Sequence, residues 1–300
     1  MAISYSNLTT ANSEMFSVLT YKHYKKQLTE LKKTAAIGAV IGGFIPAGLV
    51  LISLPEKKDY PAKILSLFIS ENSRRQGIGR ELLQRAQETI KELGYTKMRI
   101  VFSKNRTGDL GQLLASKEWK EPIDNFFIYN VCVKDVLEQS SWIRNDYIRP
   151  EFEIFPWAEL RDDERIKLCA DKEKKECEWA GFQPPINPEE KFELINSLGI
   201  RSKNGLAGWI TYQENNKMTK ACSLLYVMKK YRRSTLAIGL IIESFCLQVD
   251  AGIPNVSCII KTENLPMLNL YRKRFDFATI SVSQTMISEK EFEQHELYNR

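Results

Sequence analysis

The chain has 300 residues, 43% hydrophobic and 27% charged, with a formal net charge of +6. That length exceeds one comfortable core and suits two domains of about 150 residues each. The apolar share excludes a disordered chain, and so mild a positive charge suits an anionic small ligand, not a nucleic-acid partner.

Six cysteines (Cys132, Cys169, Cys177, Cys222, Cys246, Cys258) form no Cys-x-x-Cys pair. With no leader pattern ahead of them they read as free thiols in a reducing compartment, which makes a cytoplasmic location the expectation. His23 and His295 are the only histidines and lie far apart. Neither a metal site nor a His-based triad is expected.

Asn12 to Leu31 reads as helical. Its basic stretch, Tyr21 to Lys33 (YKHYKKQLTELKK), reads as a solvated face, the rival being a peripheral membrane or nucleic-acid adaptor. Ala35 to Leu54 is twenty residues without a charge, long enough to span a bilayer. Yet Gly42-Gly43-Phe44-Ile45-Pro46 at its centre reads as a turn, so two buried strands, 36–41 and 47–53, are expected instead of stable membrane insertion. Lys63 to Ile69 is a third strand. A glycine-containing loop then opens a helix whose apolar positions Ile78, Leu82, Leu83, Ala86, Ile90 and Leu93 share one face, with Gly94 placed to end it. Strands follow at 98–102 and 126–133.

The second half repeats this order, with strands at 207–212 and 221–227, a helix running to Gly252, and a strand at 256–261. Residues 67–94 overlay residues 225–252 without a gap: Arg74 and Arg75 meet Arg232 and Arg233, and Gly94 meets Gly252. This predicts a tandem duplication, with domains at 1–142 and 143–300 and the boundary in the polar stretch 139–150.

The stretch Ser73-Arg-Arg-Gln-Gly-Ile-Gly-Arg80 sets several backbone N–H groups at a helix mouth, where the macrodipole favours negative charge. Gly77 and Gly79 bare the main chain to an anion, and Arg74, Arg75 and Arg80 surround it with charge. A pyrophosphate suits such a loop. The dinucleotide pattern G-x-G-x-x-G fails at Leu82, and the Lys-Ser/Thr of a Walker loop is missing.

An aliphatic strand end, Arg five positions on, then R-x-x-G-x-G and Leu-Leu are here Ile69, Arg74, Gly77, Gly79, Leu82 and Leu83. This resembles the coenzyme A-binding motif of the GNAT acyltransferase superfamily. The resemblance implies an α/β (α+β layered) fold of two tandem domains, each a mixed sheet flanked by helices and splayed between its fourth and fifth strands. It also implies acetyl-CoA or a longer acyl-CoA as co-substrate, with a carrier-protein thioester as an alternative donor. Its binding residues would be Leu67, Phe68, Ile69, Arg74, Arg75, Gln76, Gly77, Ile78, Gly79, Arg80 and Asn105, with the pyrophosphate on the loop and the pantetheine along 67–69. The acyl group would pass directly to an amine of a small molecule or peptide, its carbonyl polarised by a main-chain N–H near Ile69.

In the family an Asn precedes a helix that carries, seven positions on, a Tyr able to protonate the departing thiolate. Asn264 and Tyr271 match it; the first half has Asn105, but anchoring on Trp119 puts Leu114 where the Tyr would fall. Conversely, Thr235 and Ala237 replace the loop glycines in the second half. Glu71 is the nearest carboxylate for a base, and Tyr129 or a water the proton donor if the first half acts alone. The second half is then expected to bind the acceptor or to be structural, with 176–186, Trp157, Trp209 and Tyr212 lining a groove. A more distant likeness to tandem GNAT proteins that tailor peptide-like natural products points the same way. The competing expectation is a catalytically idle acyl-CoA-binding sensor or scaffold.

Overall fold

The computed structural model describes residues 2–143, 148–172, 184–186, 192–232 and 234–292. In chain order the elements of the first half are β1 (Ile3–Asn7), α1 (Lys25–Glu30), β2 (Thr34–Ile41), β3 (Ile45–Ser53), β4 (Ala62–Ile69), α2 (Ile78–Glu92), β5 (Lys97–Ser103), α3 (Thr107–Ala115), β6 (Ile123–Cys132) and α4 (Val133–Gln139). Then come β7 (Phe152–Pro156), α5 (Asp162–Lys172), β8 (Leu198–Ser202), β9 (Gly205–Asn216), β10 (Thr219–Val227), α6 (Leu236–Asp250), β11 (Asn255–Lys261), α7 (Leu265–Arg274) and β12 (Thr279–Glu291).

The chain forms two compact units, 1–125 with 284–300, and 126–283. This differs from a single boundary between 142 and 143, and the reason is an exchange of strands. In the first unit β1 to β5 run in sequence order and β12 completes the sheet antiparallel to β5, Thr285 facing Ser103 and Glu291 facing Lys97. In the second unit the order is β6-β11-β10-β9-β8-β7, so that β6, from the first half of the sequence, lies antiparallel to β11. Each sheet is mixed: β4–β5 and β10–β11 are parallel, the other strand pairs described within the units antiparallel.

The uncharged stretch 35–54 is the β2–β3 hairpin. Gly42 (φ 62°) and Gly43 (φ 86°) make its turn, and Ala36, Ile37, Ala39, Ala47 and Leu49–Ile52 are buried. Among the described residues no helix is long and apolar enough to cross a membrane. The region expected to be one helix over 12–31 is instead a short 3-10 turn (Glu14–Leu19), an extended break at Thr20–Tyr21, and α1. Leu28 is fully buried there while Lys22, Lys25 and Lys26 are exposed, so the basic run is a solvated face.

α2 buries Ile78, Leu82, Leu83, Ala86 and Ile90 against the sheet, each worth roughly 2 kcal/mol for the aliphatics, and Gly94 (φ 78°) ends it. Its first turn lies hard on β3. A Cβ on Gly48 would come within 2.8 Å of Leu82, 2.9 Å of Ile78 and 3.0 Å of Ile69. Only glycine lets helix and strand close this far, and the loop between them is thereby fixed.

The duplication is visible in register. α6 begins 158 residues after α2 (236 against 78), and β11 and α7 keep the same offset from β5 and α3. Arg74 Nε donates to the Ile69 carbonyl at 3.3 Å, and Arg232 Nε to the Val227 carbonyl at 3.1 Å. Parallel pairing of β4 with β5 stops at Ile64–Ile100, and that of β10 with β11 at Cys222–Cys258. Beyond these points the strands part, the splay that the family resemblance implies.

Candidate functional site

β4 is paired as far as Ile69, which faces Gly48. The Ser70 N–H donates to the Ala47 carbonyl at 2.9 Å, and Ser70 Oγ donates to Ser73 Oγ at 2.8 Å across one 3-10 turn. The chain then needs two left-handed residues, Arg75 (φ 63°) and Gly77 (φ 79°), to turn into α2. A non-glycine residue in that region costs about 1–2 kcal/mol, a strain that concentrates at working sites. Gly77 is the N-cap, without a side-chain cap, and its carbonyl accepts the first helical bond from the Glu81 N–H at 3.1 Å. The N–H groups of Ile78, Gly79 and Arg80 precede that bond, lie beyond the reach of intrahelical acceptors and open outward at the positive end of the dipole.

This helix mouth borders a cavity of about 670 Å³. Of the residues expected to hold a donor, Leu67, Phe68, Ile69, Arg74, Arg75, Gly77, Ile78, Gly79 and Arg80 line it. Two do not. Gln76 turns its amide to the Asn72 carbonyl at 3.3 Å, and exposed Asn105 yields its place to Arg106. The sequence reading missed the α3 wall: Arg106, Asp109, Leu110, Gln112 and Leu113, with Ser73 at the turn. The 158-residue offset, carried on to α3, would have found it. Arg106 is the N-cap of α3 as Asn264 is of α7. Leu113 therefore corresponds to Tyr271, while Leu114, the residue picked from Trp119, is fully buried core. Asp109 takes one of the cavity's arginines, its Oδ1 lying 3.1 Å from Arg75 Nη2.

Of the three candidate catalytic residues, Glu71 belongs to the first unit and Tyr129 and Tyr271 to the second. Glu71 is 82% exposed, lies 3.7 Å from Arg74 and does not line the cavity. Tyr129 and Tyr271 are core residues of the second unit, their rings 5.1 Å apart. Tyr271 donates its hydroxyl to Cys258 Sγ at 2.7 Å, and burial holds its phenol well above the usual range. It borders a second cavity, about 260 Å³, with Tyr212, Cys222, Cys258 and Asn264. There Tyr212 shares a 2.8 Å hydrogen bond with Ser244 Oγ, and burial raises its phenol too. A hydrogen bond with Cys258, and then burial, push the Cys222 thiol up.

The second loop has lost the features of the first. Its N-cap Thr235 has φ −81°, so the left-handed turn is gone. Arg232 is occupied by the Val227 carbonyl and, at 3.2 Å, by the Tyr226 hydroxyl. Trp157, Trp209 and Tyr212 are among the most deeply buried side chains, and the two tryptophans belong to the core where a groove was expected. Trp157 donates its indole N–H to the Pro185 carbonyl at 2.8 Å. Residues 176–183 of the expected acceptor segment lie outside the described residues.

Comparison with known proteins agrees with this architecture. A sequence model of the acetyltransferase (GNAT) family matches residues 8–108. A search of curated proteins finds no match. Among solved structures, a tandem GNAT protein from the clavulanic acid biosynthesis pathway superposes with a TM-score of 0.68 at 13% identity, covering 97% of this chain and 98% of that one. A GCN5-related N-acetyltransferase from Sphaerobacter thermophilus gives 0.66 at 13% identity, covering 96% and 95%. A glucosamine N-acetyltransferase region of a fungal multi-domain β-N-acetylglucosaminidase gives 0.71 at 11% identity, covering 96% of this chain and 38% of that one. At such identities the likeness is one of fold. Residues 8–108 thus match the acetyltransferase (GNAT) family, and the whole chain shares the fold of a tandem GNAT protein.

Proposed function

We propose that the protein is an acyl-CoA-dependent N-acyltransferase whose first unit binds the donor in the cavity between β4, the helix mouth and α3. One observation carries the reading. The N–H groups opening α2, the left-handed Gly77 and the parting of β4 from β5 all border the same 670 Å³ space. The fit to a diphosphate is chemical as well as geometric: Arg74, Arg75, Arg80 and Arg106 face one acid, Asp109. Pantetheine would lie along 67–69, where the splay frees main-chain groups of β4 from pairing with β5.

Bound acyl-CoA supplies an activated thioester; its carbonyl carbon passes from sulfur to the acceptor nitrogen, which loses a proton. A lysine-like amine of pKa about 10.4 must first be neutralised, at a cost of about 4.6 kcal/mol at pH 7. Desolvation in the cleft or a water chain offsets that cost, since Glu71 does not line the cavity. Leu113 occupies the place of a protonating tyrosine. The departing group is an alkyl thiol, which is no stronger an acid than a cysteine and is protonated at neutral pH, so water suffices as its proton source. The acceptor is an amine of a small molecule or peptide, and the second unit contributes to its binding or serves as a scaffold.

Leu113 also favours a second reading, an idle acyl-CoA-binding sensor. Calorimetry with acetyl-CoA and longer acyl-CoAs, followed by transfer assays on a broad amine panel, separates the two. Binding with turnover supports the enzyme, binding without turnover on any amine the sensor, and no binding overturns both.

A further inference from the structure

The second cavity contains chemistry that acyl transfer in the first unit does not use. Cys222 and Cys258 are direct partners in the parallel β10–β11 register, at the last pair before the strands part. Paired positions on neighbouring strands sit about 4.8 Å apart, inside the Cα window of about 4.4–6.8 Å that a disulfide requires. Parallel partners present their side chains to one face, and both residues line the 260 Å³ cavity. The cavity gives a small reagent room beside them, and Cys222 is only partly buried. Cys222 further stands at a register shift of β10 against β9, between Cys222 and Leu224, a local irregularity that leaves the backbone able to adjust.

We infer that Cys222 and Cys258 are a vicinal dithiol that a small dialkyl disulfide converts to an intramolecular disulfide within the folded second unit. One protein thiolate attacks a sulfur of the reagent, whose S–S bond breaks and releases one thiol. The other protein thiolate attacks the resulting mixed disulfide, forming the Cys222–Cys258 bond and releasing the second thiol. The protein loses two electrons and two protons, and the reagent gains both. The new bond pins β10 to β11 where they diverge and converts the Cys258 thiol that accepts from the Tyr271 hydroxyl into a disulfide sulfur. This inference is independent of the acyl-transfer reading.

The test treats the full-length native protein with hydroxyethyl disulfide, blocks remaining thiols with an alkylating agent, and maps peptides without reduction. Exposed Cys169 serves as the internal control, since it gives a mixed disulfide with the reagent. The expected product is a peptide pair joining Cys222 to Cys258, lighter by two hydrogens. It forms with circular dichroism and gel-filtration behaviour unchanged, and is lost in Cys222→Ser and in Cys258→Ser. A stable mixed disulfide at either residue without closure overturns the inference. So does alkylation of both while Cys169 has reacted, or a cross-link that appears only in urea. Because the wild-type product is the primary readout, a serine variant that fails to fold does not decide the question.

Discussion

Gly77→Glu tests the cradle directly. Gly77 stands in the left-handed region, and an ideal Cβ there meets no atom within 4 Å. The cost to the free protein is therefore the backbone term, about 1–2 kcal/mol. For a chain of this length that lowers Tm by about 2–3 °C. A glutamate carboxylate at this position comes within about 5 Å of a phosphate seated at the helix mouth. One pair of unit charges then repels by about 3 kcal/mol at an effective dielectric of 20, and by under about 1 kcal/mol if water screens it fully. The expected loss of acetyl-CoA affinity is roughly 100-fold, since about 1.4 kcal/mol is tenfold. Gly77→Ala incurs the same backbone strain in free and bound protein without the charge, so it separates strain from repulsion. The assay is titration calorimetry of both variants beside thermal melting. If Gly77→Glu melts within a few degrees of wild type yet binds acetyl-CoA within about threefold, the diphosphate sits elsewhere.

Three further outcomes follow from the packing and the buried phenols. Gly48→Ala should destabilise by about 1–3 kcal/mol through overpacking against Leu82, Ile78 and Ile69, read by chemical denaturation; an unchanged midpoint would show that α2 can move away from β3. Tyr212 and Tyr271 are held neutral by burial, whereas in the unfolded chain they ionise near pH 10. The folded chain thus retains protons that the unfolded chain gives up, so their contribution is intact below about pH 10 and is lost above it. The slope is about 1.4 kcal/mol per pH unit for each phenol. Denaturation at several alkaline pH values should show it, and Tyr271→Phe should shallow it by one phenol's share; an identical slope in that variant refutes the assignment. Glu71→Gln should leave donor binding and any turnover within about twofold, because an exposed i,i+3 pair with Arg74 contributes little. A tenfold or larger fall in turnover with unchanged affinity would return Glu71 to the chemistry.

The elements that could be read from sequence alone share a property: their signal is local. Gly42 and Gly43 mark the hairpin turn, the spacing of Ile78, Leu82, Ala86 and Ile90 marks a helix face, and the arginines and glycines of 74–80 mark the mouth of that helix. The gap-free overlay 67–94 on 225–252 gave the doubled plan, and the structure extends it through β11 and α7. Nine of the eleven residues expected to hold a donor line the first cavity, all of them from that one segment, because a short contiguous motif needs no knowledge of distant partners. Gln76 and Asn105 lie outside that lining, because a motif marks positions along the backbone, not which way an individual side chain turns.

What had to wait for the tertiary structure depends on pairing between residues far apart in the chain. Alternating or continuous apolar residues tell a strand which face is buried and say nothing of its neighbour, so β6 beside β11 and β12 beside β5 were not foreseeable. The same holds for Trp157 and Trp209, whose aromatic character fits a groove or a core equally until burial decides for the core. It holds as well for Cys222 opposite Cys258. Local chemistry along the backbone is written in consecutive residues; the company each side chain keeps is set by the packing free energy of the whole chain.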